Sequence, residues 1–492
     1  MANLKNLVYF EALKLSDLLR FFRINDPYRL VGLLVMLLLL SMPLLIDGAG
    51  ITYQELKVLL VGEKVHGGFD LYTELVDSTA PLTAWFNGLM DILFGRSILA
   101  RHIFSFIIIF TQSVFLGFVF IDKKAFAENT FIPSLIFSIL FLFSFDTLSL
   151  TGDLLAFGFM LWGLNSLFKE LEFRAQGDET VLKIGIYISL ASLCSFSFIV
   201  YLPAALTILI IFSGSGARKN LLLVFGFLLP HLLLMSIFFF KGSLADLWEH
   251  YYLPGLSFSY KTFISTRSLL WLGAIPLLYL IISLVMLNRE ARFTKYQSQL
   301  LQTMFFWMLF SVLQILYSKN IRPQSFIVLI PSLSFFYTHF LLLIKRKRFA
   351  EMNLWIIVIA VVTMAYGARY GKIIDVNYAQ LLVPDNGLST TISNRKVLVL
   401  DEDISLYKTN KPATGFIDWT LASPVFKNPD YYENVGGVYH AFRKDAPEII
   451  VDRHGLMPGY FNRIPSLKHT YIQTQEGIYQ RQSSASTINL NN

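Results

Sequence analysis

Long apolar runs separated by short polar loops constrain this 492-residue chain more than any other feature of its sequence. Runs of roughly 20 apolar residues, long enough to cross a bilayer as helices, recur from Leu30 almost to residue 370. We expect about eleven spans, near residues 30–46, 98–121, 131–145, 152–168, 182–198, 201–213, 221–240, 268–287, 300–317, 324–344 and 354–370. With 54% hydrophobic and 15% charged residues, the chain is too apolar for a soluble protein. The predicted fold class is an α-helical polytopic membrane protein embedded in a lipid bilayer.

The basic residues of the loops predict how the chain is oriented. They cluster in alternate loops, at Lys123 and Lys124, at Lys169, Arg174 and Lys183, at Arg218 and Lys219, at Arg289, Arg292 and Lys295, and at Lys345 to Arg348. By the positive-inside rule these loops and the N-terminus are cytoplasmic. Loop 47–97, loop 241–267, the turn SKNIRPQ and the tail after Lys372 then lie outside the cytoplasmic (inner) membrane. The loops account for the net charge of +7, so no nucleic-acid partner is inferred.

Composition changes divide the chain into four segments. Residues 1–29 place Leu and Phe at helical spacing among basic residues, which predicts a cytoplasmic interfacial helix. Residues 30–371 form the membrane domain. Residues 372–482 predict a small α/β domain, with strands at 396–403, 447–452 and 477–481 and a helix near 428–442. The final residues, 483–492, are polar and predicted to be disordered.

No motif of a soluble enzyme class is present in the sequence. It contains no phosphate-binding glycine loop, HExxH, paired CxxC or GxSxG. The histidines have no ligand spacing, and the single cysteine, Cys194, lies in an apolar segment as a small hydrophobe. If the protein carries out chemistry, the polar stretch from Asp47 to His102 is the first candidate for its location.

The first outer loop, residues 47–101, carries an ordered series of features. These are an acidic start to an amphipathic helix (Ile51 to Val65), Gly67-Gly68, Asp70-Leu71-Tyr72, Asp77 before Ala80-Pro81-Leu82, and an apolar helix ending Leu93-Phe94-Gly95-Arg96-Ser97 before Arg101. The order resembles that of the GT-C superfamily of membrane glycosyltransferases, which use lipid-linked sugars. Within it, the likeness is to the dolichyl-phosphate-mannose protein mannosyltransferase and aminoarabinose lipid A transferase-like branch.

Later features agree with this resemblance. Asp153 stands at the outer start of a span, where such transferases often hold a second acidic residue. The segment SKNIRPQSFIVLIPSLSFF resembles their late outer turn, in which a polar or basic cluster precedes an apolar run broken by proline, here Pro331. The tail, with its IIVD and IYQR segments, resembles the small soluble domain that many members carry. The likeness touches the whole chain, and its sharp part covers residues 47–101.

The sequence departs from the family at one position. Measured back from Gly68 and Tyr72, the family's Asp-Glu pair falls on Gln54-Glu55, so the first acid is an amide. Asp47 directly follows the first span, as the family's aspartate does, but seven residues too early by that spacing. Either Asp47 or Glu55 takes the role, or the activity is altered or absent.

The resemblance implies transfer of a sugar from a polyprenyl phosphate to an acceptor outside the cytoplasm. Such a site needs a carboxylate to accept the acceptor's proton and cations to neutralise the leaving phosphate. The catalytic candidates are Asp47, Glu55 and Asp153, with Asp47 favoured because it is anchored to the end of a membrane helix. Candidate substrate ligands are Tyr72, Asp77, Arg101, Lys319 and Arg322, with Lys261 and Arg267 as further phosphate partners. The sugar, the acceptor and any role of a divalent cation stay open.

Two other functions remain open at this stage. One is a transporter or flippase for a lipid-linked substrate, although the span interiors hold almost no charges. The other is a non-catalytic subunit of an envelope assembly complex that keeps the transferase fold, which Gln54 favours. Individual candidates also have plainer interpretations: Asp153 and Asp77 as helix caps, and Arg322 as an interfacial anchor.

Overall fold

The structure, a computed structural model, describes residues 18–46, 50–143, 145–172, 177–258, 261–290, 293–318, 320–373, 376–385, 387 and 392–482. In chain order the helices are α1 (Leu18–Arg23), α2 (Arg29–Ile46), α3 (Tyr53–His66), α4 (Pro81–Phe94), α5 (Ile98–Asp122), α6 (Ile132–Phe141), α7 (Gly152–Leu171), α8 (Asp178–Cys194), α9 (Tyr201–Ile208), α10 (Ala217–Phe240), α11 (Leu244–Leu247), α12 (Leu253–Leu256), α13 (Thr266–Glu290), α14 (Lys295–Tyr317), α15 (Ile330–Leu343), α16 (Lys347–Arg369), α17 (Trp419–Lys427), α18 (Tyr432–Lys444), α19 (Met457–Arg463) and α20 (Pro465–Thr470). The strands are β1 (Lys261–Thr262), β2 (Asn320–Ile321), β3 (Lys396–Leu400), β4 (Lys411–Pro412), β5 (Ile449–Asp452), β6 (Tyr471–Gln475) and β7 (Ile478–Arg481).

The chain divides into two compact units. The membrane unit comprises residues 1–49, 99–231 and 258–381, and the second unit comprises 50–98, 232–257 and 382–492. The tail therefore shares a unit with most of the first outer loop. Within the membrane unit, α7 packs against α8, and α15 packs against both α6 and α13.

Eight helical segments among the described residues are long and apolar enough to span a membrane. They are Arg29–Ile46, Ile98–Asp122, Phe196–Ser213, Ala217–Phe240, Thr266–Arg289, Lys295–Tyr317, Pro323–Leu343 and Lys347–Arg369. Each coincides with a span expected from the sequence. The protein is thus a multi-pass membrane protein, as predicted.

The three other expected spans are helices of a different character. Helix α6 has ten residues, which reach only about 15 Å at 1.5 Å per residue, and all of them are buried. Helices α7 and α8 carry charged residues in their first or last turns, which lowers their hydropathy. These three helices therefore differ from the eight longer apolar segments in length or in terminal charge.

The N-terminal segment differs from the expected single helix over residues 1–29. Residues 1–17 lie outside the described residues, and so does the tail 483–492. In the remainder, α1 ends at Arg23 and α2 begins at Arg29. Leu18, Leu19 and Phe22 of α1 are buried against protein.

In the second unit, the predicted amphipathic helix and the apolar helix of the outer loop are present as α3 and α4. Thr52 caps α3, since its side chain accepts a hydrogen bond from the Glu55 amide. The two helices touch where Gly62 of α3 faces Asn87 of α4: a Cβ at Gly62 would lie 2.5 Å from the Asn87 carbonyl oxygen. Glycine at this position allows the two backbones to approach closely.

The tail of the second unit forms a five-stranded sheet in the order β4-β3-β5-β7-β6. Strand β3 is parallel to β4 and β5, whereas β7 is antiparallel to β5 and β6. Helices α17 to α20 bury a core that includes Leu398, Ile450, Phe426 and Tyr460. The strands predicted at 396–403, 447–452 and 477–481 and the helix near 428–442 are confirmed as β3, β5, β7 and α18. Strands β4 and β6 were not predicted.

The tail also pairs with the outer loop through the backbone. The Val76 amide donates to the Gly415 carbonyl at 2.9 Å. A Cβ at Gly415 would lie 1.8 Å from the Glu74 carbonyl oxygen, so only glycine fits here. The segment after β4 therefore lies directly on the outer loop within this unit.

Candidate functional site

In the membrane unit, the Asp153 carboxylate at the start of α7 is held through both of its oxygens. Nη2 of Arg322 donates to Oδ2 at 2.7 Å, and Oγ of Ser195 donates to Oδ1 at 2.8 Å. The Asp153 and Arg322 side chains are only 13% and 7% exposed. A buried carboxylate with both oxygens engaged is suited to orienting a cation.

The Arg322 guanidinium has a second anchor and a buried donor, Nε, without a partner among the described residues. Nη2 also donates to Thr151 Oγ1 at 3.2 Å. Its Nε is buried and has no hydrogen-bond partner among the described residues. Because an unsatisfied buried donor is costly, and because arginine binds phosphate oxygens well, this N–H is available to an anionic ligand that reaches it.

A buried hydrogen-bond network fixes the turn that carries Arg322. Oγ1 of Thr151 donates to Oε1 of Gln324 at 2.7 Å. The Gln324 amide donates to Asp146 Oδ2 at 3.0 Å, and its side-chain Nε2 donates to the Ser149 carbonyl at 2.7 Å. The segment 146–151 and the turn after β2 thus form one rigid polar assembly.

Two basic loops predicted to bind phosphate are brought together by the backbone. Strands β1 and β2 pair in parallel, with Lys261 opposite Asn320, and the Phe263 amide donates to the Ile321 carbonyl at 3.2 Å. Arg322 follows β2 directly, and Arg267 lies in the first turn of α13. The structure therefore places Lys261 on β1 and Arg322 directly after the paired strand β2, a pairing that the sequence did not reveal.

The other predicted residues of the membrane unit are placed differently. Asp47 and Lys319 lie outside the described residues. Arg101, on the first turn of α5, is buried with 1% exposure, not at an exposed loop surface. Its predicted phosphate contact stays a prediction.

In the second unit, Glu55 lies in the first turn of α3 and its side chain is buried, with 1% exposure. Gln54, the amide in the family's acidic position, is half-buried beside it. The amphipathic helix thus turns its carboxylate towards the interior of the unit. Whether Glu55 meets a substrate stays a prediction.

A second charged cluster surrounds Lys57, two residues after Glu55. Nζ of Lys57 lies 2.7 Å from Asp418 Oδ2 and 3.3 Å from Asp77 Oδ2. Oγ of Ser78 donates to the same Asp418 oxygen at 2.9 Å. Asp418 is also the N-cap of α17, since it accepts from the Thr420 amide. One ammonium group therefore joins the outer loop to the tail.

The two carboxylates of this cluster differ in their ionisation. Burial raises the pKa of Asp77, with the Lys57 ammonium opposing that shift. For Asp418, burial also favours the neutral form, but the charge and hydrogen bond of Lys57 outweigh it and hold the pKa well below its usual range. Burial likewise disfavours the charged Lys57, and the two aspartates override it, so the pKa of Lys57 is raised. Lys57 and Asp418 thus form the ionised pair.

Tyr72 packs inside the second unit. It is fully buried, its φ is 70°, and its hydroxyl donates to the Thr79 carbonyl at 2.7 Å. Its ring stacks on Tyr251 with 6.2 Å between centroids. Tyr72 and Asp77 were predicted to contact substrate; both are 0% exposed, and their contact with a substrate stays a prediction.

Several residues of these clusters were not found from the sequence. Lys57, Ser78 and Asp418 are separated by up to 361 positions, and no local pattern links them. Ser195, Thr151 and Gln324 lie in apolar stretches of the sequence. Their polarity close to the end of a span was the one signal that could have marked them as site residues. For metal binding, the described residues contain no group of three or more His, Cys, Asp or Glu side chains that could hold an ion.

Comparisons with known proteins give matches in structure alone. No protein-family model matches the chain. No curated protein sequence matches it. Among solved structures, ArnT from Cupriavidus metallidurans bound to undecaprenyl phosphate is 11% identical, with a TM-score of 0.48 over 90% of this chain and 89% of that chain.

The Archaeoglobus fulgidus oligosaccharyltransferase is also similar in its apo form, at 12% identity and a TM-score of 0.47 over 95% of this chain and 76% of that chain. The same enzyme, tethered by a disulfide bond to an acceptor peptide containing the NVT sequon, is 12% identical, with a TM-score of 0.46 over 95% of this chain and 75% of that chain. Residue roles are therefore taken from this chain's own sequence and geometry.

Proposed function

We propose that the protein is a membrane glycosyltransferase that moves a sugar from a polyprenyl-phosphate-linked donor to an acceptor on the outer side of the inner membrane. The ordered motifs of residues 47–101 support the donor class through their resemblance to the GT-C superfamily. The observation that carries the proposal is the Arg322 guanidinium, held by Asp153 and Thr151 with its Nε left for an anion.

In this reaction a bond forms between the acceptor oxygen and the anomeric carbon while the bond from that carbon to the phosphate oxygen breaks. The electron pair leaves with the phosphate, whose negative charge grows as the bond breaks. Arg322 stabilises that charge because a fixed cation acts most strongly where charge develops. Asp153 positions Arg322, since both of its oxygens are engaged.

The acceptor proton needs a separate carboxylate. Asp47 and Glu55 are the candidates, and Asp47 is preferred because Glu55 is buried within the second unit. Loss of a general base typically lowers a rate by on the order of 10²-fold or more.

The test is sugar transfer by the purified protein in lipid nanodiscs, with a panel of polyprenyl-phosphate-linked sugars. Arg322→Gln should lower turnover by roughly 10²-fold or more, in the range found for removing one transition-state donor. Asp47→Asn and Glu55→Gln identify the base. Asp178→Asn is the matched control. Like Asp153, the partner of Arg322, Asp178 lies in the first turn of a helix and pairs with an arginine, but its ion pair is exposed.

The second candidate function is a non-catalytic membrane subunit of an envelope assembly complex, which the amide at Gln54 favours. A wild-type protein that is inert with every donor and acceptor supports this candidate. Wild-type transfer that persists unchanged in Arg322→Gln would show that the proposed phosphate site is misplaced.

A further inference from the structure

We propose that the protein binds the headgroups of anionic phospholipids on a basic surface at one end of the membrane unit. This surface consists of Arg20 and Arg23 of α1, Arg29 of α2, and residues 345–348, which run from the loop after α15 into the first turn of α16. The proposal is independent of the transferase activity.

Contacts between distant parts of the chain assemble the basic surface. The Glu351 carboxylate of α16 accepts from the Leu19 amide of α1 at 3.1 and 2.9 Å, across 332 positions. At the other end of α1, Oγ1 of Thr130 and the amide of Phe131 donate to the Phe22 carbonyl. Helix α1, which carries Arg20 and Arg23, is thus fixed beside the start of α16, the helix into which the Lys345 to Arg348 cluster leads.

Cations outnumber acids on this surface. Lys345, Arg346, Lys347 and Arg348 are all exposed, as is Arg20. Among the described residues, Glu128 pairs with Arg23 at 2.7 Å and Asp26 lies 4.0 Å from Arg29. The third nearby carboxylate, Glu351, is engaged by α1. Among the described residues no carboxylate pairs with Arg346, Lys347 or Arg348, so these three cations are available to an external anion.

Exposed apolar side chains next to the cations favour a lipid as the source of that anion. Phe349 and Met352, on the first turns of α16, are about half exposed, and α2 and α16 are both candidate membrane spans. Basic clusters beside membrane helices attract anionic lipid headgroups. The positive-inside rule accounts for the sign of the N-terminal segment and of the 345–348 segment, but it does not require the contacts that fix α1 beside the start of α16.

The test compares lipid retention and thermal unfolding of the full chain purified in detergent. Cardiolipin and phosphatidylcholine are the lipid probes, and inorganic phosphate tests the free ion. The variant carries Lys345→Gln, Arg346→Gln, Lys347→Gln and Arg348→Gln together. The matched control carries Lys183→Gln and Arg218→Gln, two exposed cations paired with Glu179 and Asp178 outside the basic surface.

We expect wild type and control to retain cardiolipin in preference to phosphatidylcholine and to be stabilised more by cardiolipin. Both preferences should weaken at high salt, which screens the charges. Each cation near an anionic surface strengthens binding to that surface roughly five-fold. The fourfold variant should therefore bind cardiolipin at least about ten-fold more weakly than wild type. If the fourfold variant does not fold, the pair Arg346→Gln and Lys347→Gln replaces it. Retention of cardiolipin equal to wild type in a folded variant overturns the proposal, and so does equal stabilisation by inorganic phosphate.

Discussion

At the residue scale, the Asp153–Arg322 pair and the cluster around Lys57 differ in their balance of positive and negative charges. In the membrane unit one arginine meets one aspartate, and a guanidinium N–H remains for a ligand. In the second unit one lysine meets two aspartates, so the cluster holds an excess of negative charge unless a proton is bound. The first arrangement suits recognition of an anion, and the second suits attachment of the tail to the loop.

Replacing Lys57 by methionine should destabilise the second unit strongly. It would leave Asp77 and Asp418 buried without their cation, a loss that typically costs about 3–5 kcal/mol. Lys241→Met is the control: its ion pair with Asp70 is more than half exposed on both sides and such pairs contribute about 1 kcal/mol or less. Thermal unfolding in detergent measures both.

The loss of stability caused by Lys57→Met should become smaller as the pH falls. In the wild type the pKa of Asp418 is depressed, so its pairing stabilises the fold above the unfolded pKa of about 4 and is lost as the pH falls through the folded value. In the variant, acid neutralises the two carboxylates that lack a cation. A deficit that stays constant from pH 8 to pH 4 would contradict the charge-balance explanation.

The sequence predicted which residues belong to the site better than it predicted which of them contact each other. Asp153 and Arg322 were both selected from the sequence, but their ion pair joins positions 169 apart. Glu55, Tyr72 and Asp77 were selected because of an ordered motif, which does not report burial. Pairing across hundreds of residues is a tertiary property that local spacing does not encode.

At the element scale, the outer-loop helices depend on close backbone contact. Helices α3 and α4, the eight span segments and strands β3, β5 and β7 follow from apolar periodicity, capping and punctuation by Gly and Pro. Strand β4 has two residues and β6 has one buried position, so neither offers an apolar pattern. Helices α6 to α8 were also predicted as spans, and α6 is a helix of only ten residues.

Substituting alanine at Gly62 should destabilise the α3–α4 pair. The added Cβ would lie 2.5 Å from the Asn87 carbonyl oxygen, and such overpacking typically costs about 1–3 kcal/mol. Gly437→Ala is the control, because Gly437 lies within α18 with no atom within 4 Å of the new Cβ, and alanine there should gain roughly 0.5–1 kcal/mol. A lower melting temperature for Gly62→Ala and an unchanged or higher one for Gly437→Ala are the expected results.

At the scale of the whole molecule, the orientation predicted from loop charges awaits a direct test. The native Cys194 is buried, so introduced cysteines can be labelled against a low background. Asn428→Cys, at an exposed position of the tail, should react with an impermeant maleimide in intact spheroplasts. Ala217→Cys, in a predicted cytoplasmic loop, should react after lysis. The reverse pattern would invert the orientation.

The two-unit division was not predicted as such. Hydropathy separates membrane from polar segments, and the tail was expected to fold as its own α/β domain. The structure groups it with residues 50–98 and 232–257, because contacts such as Val76 to Gly415 are made between segments far apart in the chain.

The ion pair between Lys57 and Asp418 can form only late in biosynthesis, after the tail has been made. The two residues are 361 positions apart, and at typical translation rates the ribosome needs roughly 20 to 70 s to traverse that distance. For that interval the outer loop has left the insertion machinery while its partners in the tail do not yet exist. Until then Lys57 and Asp77 lack their partner Asp418 and must stay hydrated, and a nascent chain that stops before residue 418 cannot complete the cluster.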